Sequence, residues 1–288
     1  MRGDSTTQVD PHPNRPPPHK QPTLEICCAS IASVHAAAAA GAHRIELCTD
    51  LPSGGTTPSY GLIVAAVAAL AQYRPDPIPL MVLVRPRPGS FVYSADEVAV
   101  MKGDVRAART AGARGVVLGC LRYGEDGRRE VDVCTMRELL DVVKEESWRG
   151  EAGDVTFHRA FDDCEDLLRA LHDVHRLGSS VRRILTSGGH ETALQGSASL
   201  RALCERASRL EKPSVNRERL SVMPGAGITK ENLVKILKDT GCWEVHASAK
   251  VSIPSTGVSE FFASGDILQT DSGLVKSLLQ ALARTALD

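Results

Sequence analysis

Short apolar runs alternate with longer stretches of helical periodicity from Thr23 onward. Eight of the runs are strand-like: TLEICC, HRIELC, PLMVLVRP, GVVLGC, DVTFHRA, RRILTSG, LSVMPGAG and WEVHASAK. The stretches between them, such as SIASVHAAAAAG and CEDLLRALHDVHRLG, place apolar residues at i, i+3 and i+4, and several of them end at a glycine. This spacing is typical of amphipathic helices. The pattern therefore predicts eight strands that alternate with helices.

Strands separated by helices pair in parallel, because each return to the same edge of the sheet needs a crossover. Eight is the number at which such a sheet closes on itself, so the predicted fold is α/β, a (β/α)8 TIM barrel in a single domain. A doubly wound open sheet is the alternative. The final segment, DSGLVKSLLQALARTAL, is amphipathic and predicts a last packing helix.

The domain is expected to span residues 23–288 and to follow a disordered extension at residues 1–22. This extension contains six prolines and almost no aliphatic side chains, so it cannot bury enough apolar surface to offset the entropy of ordering. The polar segments 145–153 and 209–220 are predicted to be loops.

Charge and hydropathy exclude two classes of partner. A net charge of −1 and a pI near 6.8 give no basic face for nucleic acid or for an acidic membrane surface. No run approaches the roughly 20 apolar residues of a membrane span, and the N-terminal stretch lacks the apolar core of a signal peptide. A cytoplasmic protein is expected.

The eight cysteines form no CxxC pair and no zinc-finger spacing. A disulfide scaffold and a structural zinc site are therefore both poorly supported. Most of these thiols are expected to be small buried side chains in a reducing compartment.

Strand parity sorts the side chains between the outer helices and the barrel lumen. Apolar residues such as Leu24, Ile26 and Phe157 fall on the helix side. The lumen side receives, strand by strand, Glu25 and Cys27; Arg44, Glu46 and Cys48; Thr156 and His158; Glu244, His246 and Ser248. An internal ion-pair network is the structural explanation, but so many buried charges are costly for stability alone. Their place near the C-terminal ends of strands favours a functional site.

The motifs LEICC, GAHRIELC followed by GGTTPS, VRPRPGSFVYS, VTFHRAFD, RILTSGG with ALQG, MPGAGIT and EVHASA follow one another along the chain. From Leu24 to Lys250 the sequence thereby resembles the copper homeostasis protein CutC family. The resemblance implies a (β/α)8 barrel, a cytoplasmic role in copper handling, and copper(I) binding by Cys27 and Cys48. Copper(I) is soft and prefers thiolates, which agrees with this assignment.

In that interpretation the copper(I) site has further groups around the two thiolates. Glu25 and Glu46 orient the ligands or accept protons, and His158 or His246 supplies a third ligand. Association into a homo-oligomer through the outer helices is also expected.

The same residues support an alternative function, a TIM-barrel enzyme that acts on a small anionic metabolite, phosphorylated or carboxylated. Acid–base roles would then fall to Glu25, Glu46, His158 and Glu244. Glycine-rich loops after the sixth and seventh strands could bind the anion through backbone amides, together with arginines. The ligand-binding candidates are Arg85, Arg87, Arg159, Ser187, Gly188, Gly225, Gly227, His246 and Ser248.

Overall fold

The computed structural model describes residues 22–73, 77–145, 148, 153–210, 219–254 and 267–285. Eight parallel strands form one sheet in which β8 pairs with β1, and β1 to β7 follow in chain order. Their bounds are β1 Thr23–Cys28, β2 Arg44–Leu47, β3 Leu80–Leu83, β4 Gly115–Leu118, β5 Asp154–Phe157, β6 Val181–Thr186, β7 Ser221–Pro224 and β8 Glu244–Ala247. Because β7 also lies against β8, the sheet is nearly closed. The predicted TIM barrel and its eight strands are confirmed.

In the described ranges, eight α-helices surround the strands. They are α1 Ile31–Ala40, α2 Tyr60–Leu70, α3 Ala95–Thr110, α4 Val133–Lys144, α5 Leu167–Arg176, α6 Ser197–Arg209, α7 Leu233–Thr240 and α8 Ser272–Thr285. Side chains at the N-caps fix where several of them begin: Ser94 accepts from the amide of Glu97, whose carboxylate accepts from the amide of Ser94 in return. The predicted last packing helix corresponds to α8.

The barrel has two apolar regions, one on each side of the strands. The outer faces of the strands pack against the helices, with Leu24, Ile26 and Phe157 fully buried there. A smaller lumen cluster contains Cys27, Cys48, Met81, Leu83 and Val117. The parity assignment of the first two strands is therefore confirmed, and Cys28 belongs to the outer region.

Two β-hairpins interrupt the alternation. One joins Leu121–Tyr123 to Arg129–Val131 after β4, and the other joins Lys250–Ile253 to Ile267–Thr270 after β8. The second hairpin is fixed to the barrel because the amide of Thr270 donates to the Ser33 hydroxyl at 3.1 Å.

Three sequence expectations fall largely outside the described residues. These are the disordered extension, of which only residue 22 is described, and the loops at 145–153 and 209–220. Within the first of these loops Trp148 is buried, and its indole nitrogen donates to the carbonyl of Val143 at 2.9 Å. None of the helices in the described ranges is long and apolar enough to cross a bilayer.

Candidate metal centre

The pairing register of β8, β1 and β2 brings the polar lumen residues into two levels. Glu25 on β1 stands beside Arg44 on β2 and His246 on β8. One step toward the C-terminal mouth, Cys27 stands beside Glu46. Inward side chains at equal heights on adjacent strands meet in the lumen.

At the upper level, sulfur and oxygen donors converge. The Sγ atoms of Cys27 and Cys48 are 3.5 Å apart, and the Cys27 thiol lies 3.8 Å from Oε1 of Glu46. Two thiolates on one metal at about 2.3 Å in tetrahedral geometry lie about 3.8 Å apart, so the observed spacing needs little adjustment. Ligand atoms of Cys27, Glu46 and His246 lie within 4.8 Å of one another, and this is the metal-ligand group found in the described part of the chain.

Glu46 is the least satisfied member of this group. Its Oε2 atom is buried and has no hydrogen-bond partner, and it lies 3.9 Å from Nδ1 of His246. Burial raises the pKa of Glu46 to about 7, against the opposing effect of His246. A buried carboxylate oxygen without a partner is costly unless a proton or a cation approaches it, so this atom suits a cation site.

The thiol and the imidazole of the group are also perturbed. The hydrogen bond to Cys48, burial and the nearby Glu46 raise the pKa of Cys27 well above its ordinary value. Burial lowers the pKa of His246, but the neighbouring carboxylates of Glu46 and Glu25 outweigh it and raise the pKa overall. The thiol is therefore held in its protonated form until something replaces its proton.

Glu25 connects this group to an ion network below it. Its Oε1 lies 2.7 Å from Nδ1 of His246, and its other oxygen accepts from Nε of Arg44. Arg44 also donates to Glu244 at 2.6 Å, and Arg183 donates to the same carboxylate oxygen at 3.2 Å. Burial raises the pKa of Glu25, but Arg44 and the hydrogen bond with His246 hold it well below its usual range. Glu25 and Glu244 are thus paired carboxylates, and Arg183 is a network member that the sequence analysis did not single out.

The loop after β2 positions Cys48. The backbone of Thr49 pairs with that of Thr56, and Arg85 donates to the carbonyls of Ser53 at 3.0 Å and Gly55 at 2.7 Å. A Cβ at Gly55 would lie 2.8 Å from Leu83 and 3.4 Å from Cβ of Cys48, and φ is +90°. Only glycine fits there, and the guanidinium of Arg85 is used to hold the loop.

His158 lies apart from the metal-ligand group. Its Nδ1 accepts from the amide of Ala160 at 3.2 Å, its ring centre lies 4.9 Å from that of Phe91, and its Nε2 is buried without a partner. Burial, with the charge of Arg85, lowers the pKa of His158 to about 3, so the imidazole is neutral. In the described residues, no hydrogen bond or ion pair joins it to Glu25 or Glu46.

The remaining arginine candidates, Arg87 and Arg159, form ion pairs and hydrogen bonds with other residues of the chain. Arg87 pairs with Glu97 and donates to the carbonyls of Ser90 at 2.8 Å and Val92 at 2.9 Å. Arg159 donates to Asp162 at 2.8 Å.

Asp162, which the sequence analysis did not single out, occupies the loop predicted to bind an anion. Its carboxylate accepts from the amides of Ser187 and Gly189, each at 3.0 Å, and from the hydroxyl of Thr186. An external anion at the amide of Ser187 would have to displace this carboxylate, and the amide of Gly188 already donates to the hydroxyl of Thr186 at 2.8 Å.

The other ligand-binding candidates lie at the same end of the barrel. The amide of Gly225 donates to the carbonyl of Thr186 at 3.0 Å, and the carbonyl of Gly227 accepts from Asn232 at 2.7 Å. The carbonyl of Ser248 accepts from the Thr270 hydroxyl at 3.5 Å. Their binding roles stay predictions.

Replacing Asp162 by alanine is expected to destabilise the protein by about 1–3 kcal/mol, because the half-buried amide of Ser187 and the hydroxyl of Thr186 lose their acceptor. The neighbouring Asp163→Ala is a matched control. Asp163 pairs with Arg129 at 3.3 Å, and about two fifths of each side chain is exposed, so a change below about 1 kcal/mol is expected. Urea unfolding of both variants measures the difference, and equal stabilities would show that Asp162 does not organise the loop.

Comparison with known proteins agrees with the resemblance in the sequence. The CutC family profile matches residues 22–251. A CutC family protein of Bacteroides fragilis is 42% identical over 232 residues, which cover 81% of this chain and 82% of that protein. A CutC family protein of Xanthomonas axonopodis pv. citri is 39% identical over 263 residues, which cover 90% of this chain and 98% of that protein. A crystal structure from Streptococcus agalactiae, assigned as the copper homeostasis protein CutC, superposes with a TM-score of 0.66 at 29% identity, covering 78% of this chain and 97% of that one.

Proposed function

Because this chain belongs to the CutC family, we propose that it serves copper homeostasis in the cytoplasm and binds copper(I) through Cys27 and Cys48 at the C-terminal mouth of the barrel. Support comes from the related structure from Streptococcus agalactiae, which is assigned to copper homeostasis, and from the donor set in the lumen. Association into a homo-oligomer stays a prediction.

One observation carries the proposal: two buried thiols 3.5 Å apart beside a carboxylate oxygen that lacks a partner. Soft thiolates favour copper(I) over the hard cations that carboxylates alone would attract. Cys27 lies on β1 and Cys48 directly follows β2, its amide donating to the carbonyl of Cys28 at 3.0 Å, so the fold itself brings the two thiols together.

The surrounding groups have distinct tasks in this scheme. The Cys27 thiol loses its proton when copper binds, and Glu46, to which it already donates, accepts that proton. His246 offers a third ligand, while its Nδ1 donates a hydrogen bond to Glu25, which fixes the orientation of the ring. Glu25 itself stays charged because of Arg44.

Anaerobic titration of copper(I) against a competing chelator tests the proposal. Tight binding of about one ion per chain is expected from a single two-thiolate site. A protein that leaves all copper with a weak chelator would contradict it.

Copper(I) affinity is expected to rise with pH through about 7. Below its raised pKa Glu46 holds a proton and cannot accept the one from Cys27, whereas above it the carboxylate is available. Between pH 7 and pH 6 the wild type should lose about fivefold more affinity than Glu46→Gln, whose amide does not titrate in this range. Titrations at both values measure this. If the two proteins had the same pH profile, Glu46 would not be the group that accepts the proton from Cys27.

A second function, acid–base chemistry on a small anionic metabolite, is favoured by one observation. His158 is neutral and buried, and its Nε2 has no partner, so a ligand could accept a hydrogen bond from it. The rest of the predicted anion site weighs against this function, because Arg85 and the loop after β6 already hold groups of the chain itself. Copper(I) binding is therefore the better supported function.

A further inference from the structure

A second pair of thiols lies outside the lumen. The Sγ atoms of Cys204 and Cys242 are 3.0 Å apart, although the two residues are 38 positions apart in the chain. Cys204 is on the inward face of α6, and Cys242 lies between α7 and β8. Both side chains are buried.

This pair differs from Cys27 and Cys48 in its surroundings. In the described residues the metal-ligand group consists of Cys27, Glu46 and His246, and neither Cys204 nor Cys242 belongs to it. Their sulfur atoms are also closer than the roughly 3.8 Å that two thiolates on one tetrahedral metal require. An approach this short suits a covalent bond between the two sulfur atoms, at about 2.05 Å.

The backbone around Cys242 is fixed, so the thiols are held together. Gly241 ends α7 at φ 72°, and the amide of Cys242 donates to the hydroxyl of Thr240 at 3.2 Å. That hydroxyl donates to the carbonyl of Ile236 at 2.7 Å, which ties the turn to the helix. Little chain entropy remains to be lost when the two sulfur atoms join.

We propose that Cys204 and Cys242 are an oxidation-sensitive pair that closes to an intramolecular disulfide with hydrogen peroxide as the oxidant. The more accessible thiol, Cys242, is 6% exposed against 1% for Cys204. Its thiolate attacks one peroxide oxygen, and the O–O bond breaks to give a sulfenic acid and one water. The Cys204 sulfur then attacks the sulfenic sulfur, the S–O bond breaks, and a second water leaves. Two thiols are oxidised by two electrons, and one peroxide is reduced to two waters.

The bond would join α6 to the segment that leads into β8. Cys242 lies two positions before Glu244 and four before His246, so the link fixes the start of the strand that carries both. Closing a loop of this length restricts the unfolded chain, and the oxidised protein should melt on the order of 5 °C higher than the reduced one.

Peptide mapping of the full chain after brief treatment with a small molar excess of hydrogen peroxide tests the proposal. Trypsin without reductant should release ALCER joined to DTGCWEVHASAK, lighter by two hydrogen atoms than the separate peptides. Thiol reductant should restore both. Melting temperatures with and without peroxide, for the wild type, Cys204→Ser and Cys134→Ser, form the second measurement.

The exposed Cys134 serves as control for general oxidation. The rise in melting temperature should persist in Cys134→Ser and vanish in Cys204→Ser. Oxidation of Cys134 while Cys204 and Cys242 stay reduced would overturn the proposal. So would conversion of either residue to a sulfinic acid without the linked peptide, and both results can be read on the wild type alone.

Discussion

The double variant Cys27→Ala, Cys48→Ala is expected to lose copper(I) affinity by on the order of a thousandfold or more, since groups that merely orient metal ligands already contribute about 10–100-fold. The two Sγ atoms are 3.5 Å apart in the lumen, and no other sulfur joins the lumen cluster except that of Met81, among the described residues. Competition with a copper(I) chelator under anaerobic conditions measures the loss.

Cys28→Ala is the matched control for this experiment. Cys28 neighbours Cys27 in the chain but belongs to the outer apolar region, where its sulfur lies 3.8 Å from the hydroxyl of Thr270. The Cys28→Ala variant should bind copper(I) as tightly as the wild type does. Melting curves of this variant and the double variant check that each is folded. If the double variant binds as tightly as Cys28→Ala, the lumen thiols are not the ligands, and the acid–base function at His158 becomes the better candidate.

Replacing Arg44 by methionine is expected to destabilise the protein by about 3–5 kcal/mol, because it leaves two buried carboxylates without their shared cation. Glu25 and Glu244 both bind Arg44 and are almost completely buried. The pKa of Glu244, which burial raises, is held low by Arg44 and Arg183, so the variant loses one of the two cations that offset the burial of this carboxylate. Urea unfolding at neutral pH measures the change.

An exposed ion pair provides the control for the loss of one arginine charge. Arg106 binds Glu145 at 3.0 Å between α3 and the end of α4, and about half of each side chain is exposed. Arg106→Met should change the free energy of unfolding by less than about 1 kcal/mol. If Arg44→Met proved no worse than Arg106→Met, the lumen network would not be a buried ion pair in solution.

The lumen residues could be predicted from sequence because strand geometry has a period of two. Once Leu24 and Ile26 are assigned to the helix side, Glu25 and Cys27 must face inward, and the register then places them beside β2 and β8. The barrel followed from the count of strands and helices. Arg183 could have been found by the same rule from its following neighbour, since Ile184 packs on the helix side and Arg183 takes the opposite parity, beside the inward Thr156 of β5.

The contacts made by loops could not be predicted in this way. Asp162 lies in a short 3-10 helix after β5, and nothing in its local pattern indicates that its carboxylate reaches amides 25 positions later. The three carbonyls that Arg85 binds belong to two different loops. Such contacts depend on how loops fold over one another, which no repeat in the sequence encodes. The sequence therefore overestimated how many polar groups are available to a ligand.

The donor set at the mouth of the barrel is drawn from β1, β2 and β8, that is, from the first two strands and the last strand of the barrel in chain order. During translation, Cys27 and Cys48 leave the ribosome about 200 residues before His246, a delay of at least ten seconds at ordinary rates of about 5–20 residues per second. Throughout that interval a nascent chain carries the thiols without the imidazole or its partner strand. The complete ligand set forms only when the eighth strand pairs with the first, so the centre belongs to the finished barrel and to no shorter piece of it.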